Sequence, residues 1–444
     1  MKRNIIRKKF KAISQAPKKV KTKVEKFKLR GKTSVNNKAK TKKVKKTLRK
    51  NKPQKIDKPK VSFFSHFAFD KLKKPDSPLL ILFIVFVVSG LFTVMDTSLV
   101  FAKRDFNNVF HFLTLQILWV IIGTICFAGA YFLDYKIIRK FVLLLYIATL
   151  ILLVATLFTH EINGAKSWLS LGGLTLQPSE IAKLTFVLYI SGNLSQKKTW
   201  VTTKQFILED FLPFAILLFL VVAFVLLGKD LGTSIIIVTV ALLIYLFKSS
   251  TKNEYIAFTG MFIFVILGGA VMILSQGYRS DRVDVWLNLV SKGQVVDPSG
   301  KGYQMEQILL ALGSGGLKGV GLGESLQKYD LVETTAANDS VIAIIAEEFG
   351  FLGVVFVLML FLFYLYRGLK IASNVTDRYG QIVAIGIVSW IGMQAFLHVS
   401  SNVGLTPLTG VPMPFLSYGG SSLVACMTAT GILLNISRNA KKGN

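Results

Sequence analysis

The sequence predicts an all-α, polytopic membrane protein of about ten transmembrane helices with both termini cytoplasmic. Three observations carry this reading. Of the 444 residues, 52% are hydrophobic and the mean hydropathy is +0.52, more apolar than soluble domains usually are. The apolar residues fall into a series of runs, each close to the ~20 residues needed to cross a ~30 Å hydrocarbon core. Charge is concentrated elsewhere: of the net +30, residues 1–74 carry +26 and the other 370 residues only +4.

Residues 1–74 hold 29 Lys and Arg against Glu25, Asp57 and Asp70, with few large apolar side chains before Phe63. Such a segment cannot bury enough apolar surface to offset its ordering entropy. It reads as a disordered basic cytoplasmic tail that contacts anionic lipid headgroups, with binding of nucleic acid or a protein partner the lesser alternative. The apolar runs follow at roughly 79–102, 110–133, 138–159, 180–194, 211–227, 231–248, 255–275, 340–366, 381–403 and 418–437. The first begins too late for a cleavable signal peptide, and no small-residue cleavage site follows it. Cys126 and Cys426 both lie inside apolar runs, which argues against a disulfide framework or a cysteine metal site.

Orientation follows from the basic loops. With the tail inside, the inner connections are 134–140, 195–206, 248–254, 367–380 and the end 439–444, and each is basic. The outer loops are then 160–178, 276–338 and 404–417, the last without any charge. The membrane domain spans 75–438, and its largest outer loop, 276–338, separates the seventh and eighth runs.

Ionisable groups at or within spans are informative because a charge in lipid is costly. Asp339 stands at the outer mouth of the eighth run in AANDSVIAIIAEEFG, with Glu347 and Glu348 two turns on. Asn338 or Asp339 suits a helix N-cap; alternatively, Asp339 is a general base whose pKa is raised by low-dielectric surroundings. Glu180 and Lys183 lie three apart in QPSEIAKL. That spacing allows an ion pair, or a Lys183 held by Glu180 as a point charge for phosphate. The glycine-rich run 313–323 lacks GxxxxGK[ST] and a preceding strand, so it reads as flexible backbone in a re-entrant loop rather than a nucleotide site. The stretch 407–422, PLTGVPMPFLSYGGSS, is a fixed non-helical connection that at membrane depth needs protein or water around it. His66, His111, His160 and His398 show no metal-ligand spacing and read as surface or packed residues.

Taken together these motifs resemble the SEDS family (shape, elongation, division and sporulation), membrane glycosyltransferases that polymerise peptidoglycan. The matching stretches are NGAKSW (163–168), QPSEIAKL (177–184), DLGTS (230–234), GYQMEQILLALGSGGLKGVGLGESLQKY (302–329), NDSVIAIIAEEFGFLG (338–353) and PLTGVPMPFLSYGGSS (407–422). They occur in family order over 79–438 and are closer to the division branch, FtsW, than to the elongation branch, RodA. The resemblance implies Asp339 as the catalytic aspartate. It nominates as substrate-binding Lys166, Trp168, Gln177, Ser179, Glu180, Lys183, Lys318, Gln327, Lys328, Ser417, Tyr418, Gly419, Gly420 and Ser421. Four departures stand out, the first being that the first helix ends MDTSLVFA where a Tyr-Ser-Ala-Ser-like run is common. LVETTAAND lacks the family's proline before the aspartate, leaving Glu333 a lesser site candidate. Lys229 replaces a proline before DLGTS. Leu115-Gln116 stands where Arg-Gln is common.

The activity implied is polymerisation of lipid II into β-1,4 glycan during cell division, with undecaprenyl pyrophosphate leaving. A divalent cation, Mg or Mn, would be an optional helper. The implied setting is the bacterial cytoplasmic membrane, with a class B penicillin-binding protein and other divisome proteins as partners. Two other readings are a lipid II flippase and a non-catalytic divisome scaffold. A flippase needs polar groups at the midplane reachable from both sides, whereas most charges here cluster at one face.

Overall fold

The computed structural model describes residues 74–440, apart from 162–164, 173, 197–201, 250, 275–276 and 331–334; side chains are also undescribed at 171, 265–274, 277–280, 330 and 335–336. The expected tail, Lys74 apart, and the end 441–444 lie outside the described residues, as do Asn163, Gly164 and Glu333.

Each apolar run falls on one long helix: α1 Ser77–Phe106, α2 His111–Phe132, α3 Tyr135–Thr156, α4 Pro178–Leu194, α5 Thr203–Leu227, α6 Leu231–Lys248 and α7 Lys252–Leu274. After the large loop come α12 Val341–Asn374, α13 Arg378–Asn402 and α14 Gly420–Ser437. That loop is itself helical, with α8 Gly277–Lys292, α9 Tyr303–Ser314, α10 Gln327–Asp330 and α11 Thr335–Asn338. The stretch between α3 and α4 forms an antiparallel hairpin of β1 Leu169–Leu171 and β2 Leu174–Leu176, pairing Leu169 with Leu176.

Among the described residues, eight of the ten long helices are long and apolar enough to cross a membrane. The other two are α4 and α7, the latter described in its side chains only as far as Phe264. At 17 residues α4 is about 25 Å long, short of the hydrocarbon thickness. It tolerates polar residues because other helices surround it: most of its side chains are buried, Glu180 and Lys183 included. Only 22% of the most apolar stretch of α2 and of α3 is buried, against 72% in α13 and 83% in α14. Thus α13 and α14 form the centre, and the outer faces of α2 and α3 meet lipid. Small residues bring α14 close to α2, as expected where helices pack without a hydrophobic drive between them. A Cβ on Gly420 would stand 2.0 Å from the Trp119 ring, and one on Gly431 would stand 2.7 Å from the Phe127 carbonyl oxygen.

Both ends of the membrane domain lie at one end of the bundle. The Asp76 N–H donates to Ser437 Oγ at 3.0 Å, and Arg367 Nε donates to Asp76 Oδ1 at 3.1 Å. Asn435 Nδ2 donates to the Ala130 and Tyr131 carbonyls there (3.1 and 2.9 Å), satisfying acceptors at the end of α2. Lys248 is held between Asp210 and Glu254 at the same end. The opposite end gathers the hairpin, the α5–α6 turn, the large loop and the 403–419 connection.

Gly350 breaks α12, with φ +68° and ψ −168°. The glycine-rich run fills the gap: Val320 and Gly321 N–H donate to the Glu347 and Glu348 carbonyls (2.9 and 3.1 Å), and the Phe351 and Leu352 N–H donate to the Gly316 and Leu317 carbonyls (2.8 and 3.2 Å). A Cβ at Gly319 would lie 2.0 Å from the Glu348 oxygen. The expectation of free, flexible glycine backbone is therefore corrected. The glycines permit a close approach that restores the hydrogen bonds of a broken helix, which a low-dielectric environment demands.

Candidate active site

Asp339 lies in the short break between α11 and α12, partly buried. Neither Asn338 nor Asp339 caps α12. The cap position is Ser340, which makes no side-chain capping bond. The N-cap reading of Asp339 is not realised, and among the described residues its carboxylate accepts no hydrogen bond.

Several elements fix this aspartate. Asn402, at the end of α13, donates through Nδ2 to the Asp339 carbonyl at 2.9 Å. The 403–419 connection docks alongside: the Tyr418 N–H donates to the Ala337 carbonyl at 2.8 Å and Ser417 Oγ to the Asn338 carbonyl at 2.6 Å. From α8, Arg282 Nη1 donates to the Leu408 carbonyl and Trp286 Nε1 to the Gly404 carbonyl, both at 3.0 Å. Gly410, at φ +70°, lies between the two charged groups. A Cβ there would be 3.6 Å from Asp339 Oδ2 and 3.7 Å from Arg282 Nη1. Burial pushes the Asp339 carboxyl above the usual carboxylate range, and the positive charge of Arg282 opposes that rise. Around this pair Asn338 Oδ1, Ser340 Oγ, Asn402 Oδ1 and Thr409 Oγ1 are buried without partners among the described residues. Buried polar atoms are normally paired; these four lie on residues next to Asp339 or Gly410 in the chain or, for Asn402, on the residue bonded to the Asp339 carbonyl.

The other nominated residues fall into three groups. Ser417 and Tyr418 are brought to Asp339, the first through its hydroxyl and the second through its backbone. The Tyr418 ring packs edge-on against Phe112 at 5.1 Å, and burial raises its phenol pKa. Gly419 stands beside them, while Gly420 serves the contact with Trp119.

A second group ties the hairpin, α4 and α6 together. Asp230 caps α6 through Oδ1 (Thr233 N–H, 3.0 Å) and accepts through Oδ2 from Gln177 Nε2 at 3.0 Å and Ser179 Oγ at 2.9 Å. The Gln177 N–H donates to Ser421 Oγ at 2.8 Å, and the Lys166 N–H to the Gly228 carbonyl at 3.0 Å. Trp168 is partly buried beside this junction in the chain. Lys183 is buried, 2.7 Å from Glu180 Oε1 and 2.7 Å from Gln394 Oε1. The ion-pair reading is the one realised, and a phosphate contact by Lys183 would require this pair to open. Gln394 in turn donates to the Pro412 carbonyl at 3.0 Å, so the pair supports the wall of the site.

The third group is a buried charge cluster at the α12 break. Lys328 Nζ is 3.0 Å from Glu348 and 3.2 Å from Asp96. Burial alone would lower the Lys328 pKa, but the Glu348 hydrogen bond and the Asp96 charge outweigh it and hold the ammonium. Glu347 accepts from the Leu326 and Gln327 N–H groups (3.0 and 3.3 Å) and caps α10. The Gln327 Oε1 is buried without a partner. Lys318, by contrast, is exposed on the glycine-rich loop. Among the described residues no group of three or more His, Cys, Asp or Glu side chains could hold a metal ion.

Sequence reasoning missed Arg282 and the polar stripe of α13. Trp390, Gln394, His398 and Asn402 recur every four residues on one helix face. Gln394 and His398 Nδ1 bond the Pro412 and Val411 carbonyls, the latter at 2.8 Å, and Asn402 holds Asp339. A polar residue every fourth position in an apolar span was the available signal. For Arg282 it was the same-face pairing with Trp286.

A many-spanned helical bundle that holds a partly buried aspartate and an arginine together in the loops at one mouth is a membrane protein built to handle a polar group at the lipid surface. The chain belongs to the FtsW, RodA and SpoVE family of cell cycle proteins, whose model matches residues 77–442. It is a multi-pass protein of the bacterial cytoplasmic membrane. It is 35% identical to stage V sporulation protein E of Bacillus subtilis strain 168, over 84% of this chain and 99% of that one. It is 33% identical to a probable peptidoglycan glycosyltransferase FtsW of Geobacter sp. strain M18, over 82% and 96% of the two chains. Among solved structures, a chain from a peptidoglycan synthase complex superposes with a TM-score of 0.65 at 24% identity, covering 83% of this chain and 99% of that one. The rod shape determining protein RodA of Thermus thermophilus superposes with a TM-score of 0.58 at 23% identity, covering 83% and 98%.

Proposed function

We propose that this protein is a peptidoglycan glycosyltransferase that polymerises lipid II, with Asp339 as the general base. The observation that carries the proposal is the Asp339 carboxylate itself. It is free of hydrogen bonds among the described residues, raised in pKa by burial and placed near one guanidinium, and the residues beside it carry unpartnered hydroxyl and amide oxygens. Asp339 takes the proton of the acceptor sugar's 4-hydroxyl. The oxygen bonds to the donor's anomeric carbon as the bond to undecaprenyl pyrophosphate breaks, giving a β-1,4 linkage by inversion. The unpartnered oxygens of Asn338, Ser340, Asn402 and Thr409 suit a ligand rich in hydroxyls. Arg282 and the exposed Lys318 stand on the same loop to offset the leaving pyrophosphate's charge. The class B penicillin-binding protein expected as partner is supported by the fold shared with a chain of a synthase complex in which polymerization and crosslinking are coordinated.

A positioned base typically contributes about 10²–10⁴-fold. Asp339→Asn should therefore reduce glycan synthesis from labelled lipid II by that factor while the purified protein still elutes as wild type. Wild-type polymerisation by Asp339→Asn would end the assignment.

A further inference from the structure

A second polar site lies at the opposite, tail-bearing end of the bundle. A cavity of about 420 Å³ is lined there by Lys136, Arg139, Lys140, Asp377 and Tyr379. Two helices begin at it. The N-terminus of α3 is capped by Asp134, which accepts from the Lys136 N–H at 2.9 Å, and that of α13 by Asp377, which accepts from the Gly380 N–H at 2.9 Å. A helix N-terminus carries roughly half a positive charge, so cations in the first turns are unfavourable there. Yet the start of α3 holds Lys136, Arg139 and Lys140, with no acidic residue in its first turn. Asp377 is the one carboxylate lining the cavity.

The guanidinium is fixed in place. Arg139 Nη2 donates to the Gly192 carbonyl and to Ser195 Oγ, both at 3.3 Å, and its Cζ stands 4.8 Å from the centre of the Tyr379 ring. Tyr379 is buried and its hydroxyl has no hydrogen-bond partner among the described residues. An excess of Lys and Arg at this end follows from topology alone. A cavity walled by three cations against one carboxylate, with one guanidinium anchored on a buried ring, does not.

We propose that this cavity binds a phosphate group, carried by an anionic lipid of the adjoining leaflet or by a soluble phosphate of that compartment. The surplus of positive charge favours an anion, and the tetrahedral oxygens of a phosphate can meet Arg139 and the two lysines together. The volume falls in the ~300–1,000 Å³ range of small-ligand pockets. This site is separate from Asp339 and does not depend on the glycosyltransferase reading.

The test uses the full wild-type chain in phosphatidylcholine nanodiscs and measures modification of individual lysines by an amine-reactive probe. Lys204 and Lys370, exposed at the same end but outside the cavity, serve as references. Adding phosphatidylglycerol should slow modification of Lys136 and Lys140 by about fivefold beyond any slowing at the references, a typical contribution of one surface cation to anionic-lipid binding. Inorganic phosphate added to the phosphatidylcholine discs tests the soluble source. Selective protection by phosphatidylglycerol alone assigns a lipid headgroup, and protection by inorganic phosphate assigns a soluble ligand. Arg139→Gln should remove that protection. No selective protection in either arm, or protection undiminished in Arg139→Gln, would overturn the proposal.

Discussion

Replacing Arg282 by Gln should move the acidic limb of the pH–rate profile upward, because Arg282 is the cation that opposes the effect of burial on Asp339. Both groups lie within 3.7 Å of the Cβ position of Gly410, on Asp339 Oδ2 and Arg282 Nη1, so they are at most about 7 Å apart by addition of the two distances. At that separation and an effective dielectric of about 20 the attraction is about 2 kcal/mol, or a little under two pH units. Water at a partly exposed site weakens it, so the expected shift is about one to two units. The sign is fixed by the chemistry. Burial raises the Asp339 pKa and Arg282 lowers it; without Arg282 the carboxyl holds its proton to higher pH, and a base must be ionised to act. Initial rates of lipid II polymerisation between about pH 5 and 9 would report the shift as the pH of half-maximal kcat/KM. Arg282→Lys, which keeps the charge, should stay near wild type. An Arg282→Gln profile with an unmoved acidic limb would refute the electrostatic coupling. A kcat/KM that falls equally at all pH values, with the acidic limb unmoved, would leave Arg282 acting on the leaving pyrophosphate alone.

Three further outcomes follow from the same geometry. Asp339→Asn should lower turnover by about 10²–10⁴-fold without altering elution or helix content, read by lipid II polymerisation. Gly319→Ala forces a Cβ to within 2.0 Å of the Glu348 carbonyl oxygen at φ +81°, which should cost roughly 2–4 kcal/mol and lower the thermal midpoint; Gly313→Ala, with nothing within 4 Å of its Cβ, is the control. Lys183→Met leaves Glu180 buried with side chains 1% exposed on both partners in the wild type, a loss of about 3–5 kcal/mol. Adding Glu180→Gln should recover part of it in a thermal unfolding assay.

The broad architecture was legible because it is written locally. Spanning length and apolarity are properties of consecutive residues, and each of the ten runs falls on one helix. The departure of α4 from the apolar pattern was legible too, as a polar helix start in QPSEIAKL. The reason it is tolerated was not, because that depends on the neighbours that cover it. The aspartate at the mouth of α12 was likewise visible in the NDSVIAIIAEEFG stretch. Its freedom from a capping role was not, because that depends on Asn402, Ser417, Tyr418 and Arg282, which arrive from three other parts of the chain.

The sequence by itself determined that this chain is a many-spanned helical membrane protein, which connections are basic, and that Asp339, Glu180 and Lys183 are ionisable groups at helix ends. These follow from composition and spacing within one segment, where chemistry acts between near neighbours. Only the tertiary structure decided which groups remain available. It spent Gln177 and Ser179 on Asp230 and Lys183 on Glu180 and Gln394. It used the glycine-rich run to complete the backbone of a broken helix, and it left the Asp339 carboxylate without a hydrogen bond among the described residues. The physical reason is that buried polar groups must find partners, and the partner of each is set by packing between segments far apart in the chain.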